Sequence, residues 1–277
     1  MHSLPWTSFE PGNHRTACPA CGRNEREKTL GLTIEHSGKG VAHCFRCGHV
    51  ETNSRDAKSW TAAPRLVERR PSPQKHEVLS DYGLELWSAC EPVSGAALAY
   101  LKAQRCVIPP ADGDLRWHRD LRHPNGEHGP ALVGLISHVR SRKPLSLHRT
   151  WIEADGRKAP FDPPRMLLGN HAMKDGVIRL WPDESVTHGL AVAEGIETAL
   201  SLAWAYQPAW SCIDAGHLAA LPVLAGIETL VIGADNDVAG QKAANECATR
   251  WASADVEVLV TRQAANDLND VLQELAA

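Results

Sequence analysis

The stretch VIGADNDVAGQKAA, residues 231–244, decides how the C-terminal part of the chain folds. Val231 and Ile232 close an apolar run with the length and composition of a buried strand. Asp235 and Asp237 follow, flanking Asn236, and a turn leads through Gly240 into an Ala-rich helix. Two carboxylates this close repel each other unless a cation or a proton relieves them. An apolar strand, an acidic turn and a helix, in that order, are the parts of an α/β crossover unit. In sheets built from such units the functional groups gather beyond the carboxyl ends of the strands.

The same alternation surrounds this stretch. GLAVAE (189–194) reads as a strand and GIETALSLAWAY (195–206) as a helix; AWSCID (209–214) and HLAALPVL (217–224) repeat the pair. IETLVIGAD and VAGQKAANECATRWA form the third pair, VEVLV and DLNDVLQELA the fourth. Strands alternating with helices predict a parallel, Rossmann-like sheet with right-handed crossovers. Glu194 then ends the first strand, Asp235 and Asp237 end the third, and Asp267 and Asp270 open the last helix. All five acids are expected at one edge of the sheet. A few hard carboxylate oxygens, with water and phosphate completing the shell, suit Mg²⁺ or Mn²⁺.

The other end of the chain has different chemistry. Cys18-Pro-Ala-Cys21 and Cys44-Phe-Arg-Cys47 are two CxxC pairs, each followed by glycine. Two thiolates three residues apart reach one ion from a tight turn, and two such knuckles complete a tetrahedral zinc site. The 22 residues between the pairs hold TLGLTIEH and the start of KGVAHCF, which runs on through Cys44; these alternating runs predict a hairpin closing the loop. Four thiolates leave no open position, so the zinc is expected to be structural. His14 and His43 lie close enough in sequence to be substitute ligands. Cys90, Cys106, Cys212 and Cys247 stand singly in apolar stretches and read as small buried hydrophobes.

Between these ends the chain divides at 52–75, a polar, Pro-containing stretch that reads as a linker. The expected organisation is a small β-region over 1–51, the linker, an α+β lobe over 76–187 and the parallel-sheet domain over 188–277. In the lobe, LSDYGLELWSACEP and SGAALAYLKAQR predict two helices, the second capped by Ser94. ALVGLISHV, LSLHRTWI and VIRLW predict strands. With 43% hydrophobic residues the 277-residue chain can bury a sizeable core, and its net charge of −4 does not suit a wholly basic nucleic-acid coat. No apolar run approaches membrane-spanning length and MHSLPWTSFEPG has no secretory core, so the cytoplasm is expected, with cysteines kept reduced.

AEGIETAL and ADNDVAGQKAA resemble the two motifs of the Toprim fold, a Glu-Gly after one strand and DxD after another. The resemblance covers roughly residues 188–277. The zinc ribbon is similar to that of bacterial and phage primases. LHRTWIEADGRKAPFDPPRMLLG followed by GVIRLW, and ANDLNDVL near the C-terminus, resemble segments of phage- and plasmid-encoded primases of the virulence-associated group. This resemblance implies a nucleotidyltransferase that makes short RNA primers from NTPs on single-stranded DNA, with Mg²⁺ or Mn²⁺. It gives Glu194 the place of the catalytic acid, Asp235 and Asp237 that of the metal-binding DxD, and Asp267 or Asp270 that of the last acidic motif.

Arg149, Lys158 and Arg165, in the segment before the Toprim part, are expected to meet triphosphate and template, as are Arg140, Arg142 and Lys143. Phe45 and Arg46, between the ribbon cysteines, are candidate template contacts, while Trp151 and Trp181 read as core. The sequence has no G-x-x-x-x-G-K-[ST] phosphate loop, so a helicase partner is expected in trans. Two rivals share parts of the pattern: a non-catalytic recombination-mediator protein with zinc and Toprim modules, and a Toprim nuclease.

Overall fold

Gly12–Thr16 (β1), Leu30–Ile34 (β2), Gly40–Cys44 (β3) and Val50–Asn53 (β4) pair antiparallel in that order. The expected hairpin is the β2–β3 pair, with Leu30 opposite Cys44. In β2 the apolar side chains alternate inward, and Leu30 and Leu32 bury with Leu4, Ala42, Cys18 and Cys44 in one small core. This computed structural model describes residues 4–22, 28–53 and 75–275. Of the expected linker, 52–75, all but residues 52, 53 and 75 lie outside the described residues.

The chain divides into two units, Met1–Ser72 with Asp237–Ala239, and Pro73–Asn236 with Gly240–Ala277. The second opens with Asp81–Ser88 (α1), Glu91–Pro92 (β5) and Gly95–Ala103 (α2). Ser80 caps α1 by accepting from Gly83 N. Ser94 occupies the expected N-cap position of α2, but its hydroxyl makes no cap bond and instead accepts from Trp117 Nε1 at 2.9 Å. Five strands follow: Leu115–Arg122 (β6), His128–His138 (β7), Pro144–Trp151 (β8), Arg165–Leu167 (β9) and Gly176–Arg179 (β10). The C-terminal part alternates as the sequence predicts: Gly189–Ala193 (β11), Ile196–Leu202 (α3), Ala209–Ser211 (β12), Ala215–Ala220 (α4), Thr229–Gly233 (β13), Val238–Ala252 (α5), Glu257–Val260 (β14) and Leu268–Glu274 (α6).

The lobe and the parallel-sheet part share one sheet. Its order is β14-β13-β11-β12-β10-β7-β6-β5, with β8 paired to β7 and β9 to β8. β14, β13, β11 and β12 run parallel, and β10 joins antiparallel to both β12 and β7. The central strands β11 and β13 are near-continuous apolar runs, as strands covered on both faces must be. β14 alternates exposed and half-buried positions, the pattern of an edge. One face is covered by a core that includes Tyr100, Leu101, Ile178, Ile196, Ala199 and Leu200. The other is filled by residues including Val192, Ile232, Leu218 from α4, and Cys247 and Trp251 from α5. Among the described residues no helix is long and apolar enough to cross a membrane.

Candidate metal centre and acidic edge

In the N-terminal unit, four sulfurs gather. Cys18 Sγ lies 3.8 Å from Cys47 Sγ and Cys21 Sγ lies 3.6 Å from Cys44 Sγ. All four ligand atoms fall within 4.8 Å of one another. A tetrahedral ion with metal–sulfur bonds of ~2.3 Å sets its sulfurs ~3.8 Å apart, so the spacing fits zinc. The knuckles are built by the backbone: Gly22 N donates to Cys18 O and Gly48 N to Cys44 O. A Cβ at Gly22 would come within 2.5 Å of Cys18 O, so the first knuckle accepts only glycine there. His14 turns its Nε2 to Glu10 O, and His43 packs edge-on against Phe45. The other four cysteines are buried, as expected of hydrophobic fillers.

In the C-terminal unit, the pairing of Ala193 with Gly233 sets the ends of β11 and β13 side by side, so Glu194 and Asp235 leave the sheet at the same edge. Gly240, in the first turn of α5, measures how closely they meet. A Cβ on Gly240 would lie 2.8 Å from Asp235 O, 2.9 Å from Asp235 Cβ and 3.0 Å from Glu194 Oε1. The sequence thus places glycine where a helix passes between two acid-bearing strand ends. Glu194 is further fixed by Ser211 Oγ, which donates to its carbonyl. Asp237 follows Asp235 by two positions, at the entrance to α5.

The last acidic segment is tied to the same edge. Asn236 N donates to Asn266 O at 2.6 Å and Asn236 Nδ2 to Ala264 O, which holds the Asp235 loop against the loop before α6. Asp267 is the N-cap of α6, accepting from Asp270 N at 2.9 Å. Asp270 has its carboxyl pushed above the usual carboxylate range, first by burial and then by Asp267 and Glu274, with Lys158 opposing. A crowded anion of this kind is relieved by a cation. A cavity of about 350 Å³, lined in part by Asp235, Asn236, Gln241, Asn245 and Arg262, opens beside the edge; it lies at the small end of the ligand-site range.

The expected basic residues separate. Lys158 and Arg165 approach the first helix of the parallel-sheet part: Lys158 Nζ lies 3.5 Å from Glu197 Oε1 and Arg165 Nη1 3.9 Å from Glu197 Oε2. Arg149 is not brought to them. It is 5% exposed, donates from Nη2 to Leu167 O at 2.9 Å and sits 5.2 Å from the Trp151 ring. It belongs to a strand whose side chains bury on both faces. Arg142 is occupied by Asp183 and Glu184, and Arg140 donates to Val223 O. Trp151 and Trp181 are core residues, as expected. In the ribbon, Phe45 is 56% exposed with Arg15 over its ring, next to Arg46.

Glu197 is the residue that the sequence reading missed. Burial alone would push its carboxyl up, but Arg165, Lys158 and the Tyr100 hydroxyl outweigh burial and hold it at about 2. Tyr100 Oη donates to Glu197 Oε1 at 2.6 Å. The signal was present: in IETALSL, all of it buried, Glu197 is the lone charge.

Residues 79–180 match a family described as a domain of unknown function (DUF7146), and residues 189–277 match the Toprim domain family. No curated protein matches the chain. Among solved structures, the primase fragment of the bacteriophage T7 primase-helicase protein is similar at 16% identity and a TM-score of 0.44, over 94% of each chain. The Aquifex aeolicus primase (zinc binding and RNA polymerase domains) is similar at 13% identity and a TM-score of 0.44, over 96% of this chain and 76% of that one. A DNA primase domain from Pseudomonas aeruginosa follows at 14% and 0.35, over 56% and 52%. Values this low carry no functional weight by themselves. The parallel half of the sheet, with its acids at the strand ends, is a Toprim domain, and the four-cysteine β-region at the other end of the chain fits a zinc ribbon.

Proposed function

We propose that the chain is a DNA primase that joins ribonucleoside triphosphates into short primers on single-stranded DNA. The observation that supports this most is the convergence of Glu194 and Asp235 around Gly240 at the carboxyl edge of a Toprim sheet. Asp235, Asp237 and the Asp267/Asp270 pair would hold Mg²⁺ or Mn²⁺, which, when bound, supplies charge stabilisation to the attacking and leaving oxygens of an in-line displacement. To Glu194 we assign either acceptance of the proton from the attacking 3′-hydroxyl or a water-bridged contact with the metal. Lys158 and Arg165, with side chains 36% and 44% exposed, would neutralise the triphosphate. The ribbon, stabilised by zinc on Cys18, Cys21, Cys44 and Cys47, would offer Phe45 and Arg46 to the bases and backbone of the template. Duplex opening would come from a helicase in trans.

The test is incubation of the full chain with NTPs, Mg²⁺ or Mn²⁺ and single-stranded DNA. Short RNA products are expected. DNA binding without products would replace this reading with a mediator-like role, and cleaved DNA would replace it with a nuclease.

A further inference from the structure

Glu197 stands one helical turn beyond Glu194, on a helix of seven buried residues. An ionised carboxylate in such a helix is costly unless it is paired and hydrogen-bonded. The fold supplies more than that minimum. Tyr100 comes from α2, Lys158 from the turn after β8 and Arg165 from the start of β9, so three separate pieces of the lobe converge on one Toprim side chain. The two cations keep their outer parts in water while the carboxylate is 10% exposed. They are therefore gripped from behind. His148, which feels the Glu197 charge, adds none of its own, because burial holds its imidazole down at about 4. Its Nδ1 is sealed from water without a hydrogen-bond partner.

We propose that Glu197 is a positioning residue, whose carboxylate fixes the Lys158 and Arg165 head groups as a pair that receives the polyphosphate of the incoming nucleotide. The inference rests on the primase reading above. Glu197 touches neither substrate nor metal in this scheme; it acts through the two cations. Without it, two flexible side chains of like charge lose their common anchor and must be immobilised when the ligand binds, which weakens the complex.

The experiment measures binding of inorganic tripolyphosphate, with and without Mg²⁺, to the full chain and its variants, and in parallel measures Mn²⁺ binding. Glu197→Gln keeps the shape and can still accept from Tyr100, but it loses the charge. Its dissociation constant for tripolyphosphate is expected to rise about tenfold, equivalent to about 1.4 kcal/mol, with Mn²⁺ binding unchanged. Glu197→Asp should recover part of the loss. Glu197→Gln added to a Lys158→Met/Arg165→Met double variant should weaken binding no further than that double variant alone, since both groups it acts through are then gone. Equal or tighter binding by Glu197→Gln, or a further loss when it is added to the double variant, would overturn the proposal. If Glu197→Gln does not fold, Lys158→Met and Arg165→Met decide: each must weaken tripolyphosphate about tenfold, and wild-type binding by either overturns it. A wild-type chain that makes no primers would sink the primase reading and leave this binding test intact.

Discussion

Replacing Gly240 by alanine asks whether the two strand ends are held close for a purpose. Two opposing effects set the stability change. Alanine in place of glycine inside a helix gains about 1 kcal/mol. Against this, the new methyl would sit 2.8 Å from Asp235 O and 2.9 Å from Asp235 Cβ, closer than side-chain carbons approach such atoms. The obstacle is largely backbone, so the Asp235 loop must shift by a few tenths of an ångström, an overpacking that costs roughly 1–3 kcal/mol. The net loss is then between zero and about 2 kcal/mol, a melting shift of at most several degrees for a unit of this size. The effect on the cation should be larger than the effect on the fold. The methyl would also come 3.0 Å from Glu194 Oε1, so relief of the clash separates the two acids. Mutating the outer groups that orient metal ligands typically costs roughly 10–100-fold in metal affinity, and a loss of that order is expected here. Titration with Mn²⁺, followed by paramagnetic resonance, and melting in EDTA give the two numbers independently. Wild-type Mn²⁺ affinity in Gly240→Ala, with an unchanged melting temperature, would refute the idea that Glu194 and Asp235 converge there to serve a cation.

Asp235→Asn and Asp237→Asn should each abolish nucleotidyl transfer while leaving the melting temperature in EDTA equal or slightly higher, because a repelling charge is removed; a loss of several degrees would make these acids structural. Cys44→Ser should release the zinc, of which one per chain is expected, and loosen the β1–β4 unit, with the melting of Pro73–Ala277 unchanged; protein purified without chelator and found zinc-free by elemental analysis would contradict this. Asp270, whose carboxyl lies above its unfolded value, penalises the fold at pH values above its folded pKa, and the penalty fades as pH falls towards the ordinary carboxylate range near ~3.9. Asp270→Asn should accordingly melt higher than wild type at pH 7 in EDTA and equally at pH 3.5; a lower melting temperature at pH 7 would reverse the assigned sign.

Legibility followed the range of the interaction. The Toprim strands and helices were readable because each apolar run and each crossover is local, and because parallel strands send their carboxyl ends to one side. The ribbon was readable because cysteine spacing is itself a geometric constraint. The union of the lobe and Toprim strands into one sheet was not, since it depends on Ile178 and Arg179 finding Ser211 and Trp210 across an intervening strand and helix. β6 escaped notice because its alternation breaks at a register shift between His118 and Leu121, leaving Arg119 and Asp120 exposed together. Arg149 read as a ligand-facing cation because a basic residue in a strand carries no mark of which neighbours will enclose it. Glu197 was passed over in favour of its neighbour Glu194, although a lone acid in an apolar helix always requires a partner from elsewhere.

The antiparallel strand β10 has a mechanical consequence. It is hydrogen-bonded on one side to β7 of the lobe and on the other to β12 of the Toprim half. A hinge between the lobe's cations and the Toprim acids would have to tear a ladder of backbone bonds, so the two halves behave as one plate. The span from Lys158 and Arg165 to the acidic edge is then set when the chain folds rather than when a ligand arrives. Under the function proposed above, such a plate would act as an anvil offering a polyphosphate one fixed span, which would leave substrate selection to side-chain rotation and to whatever approaches the edge from outside.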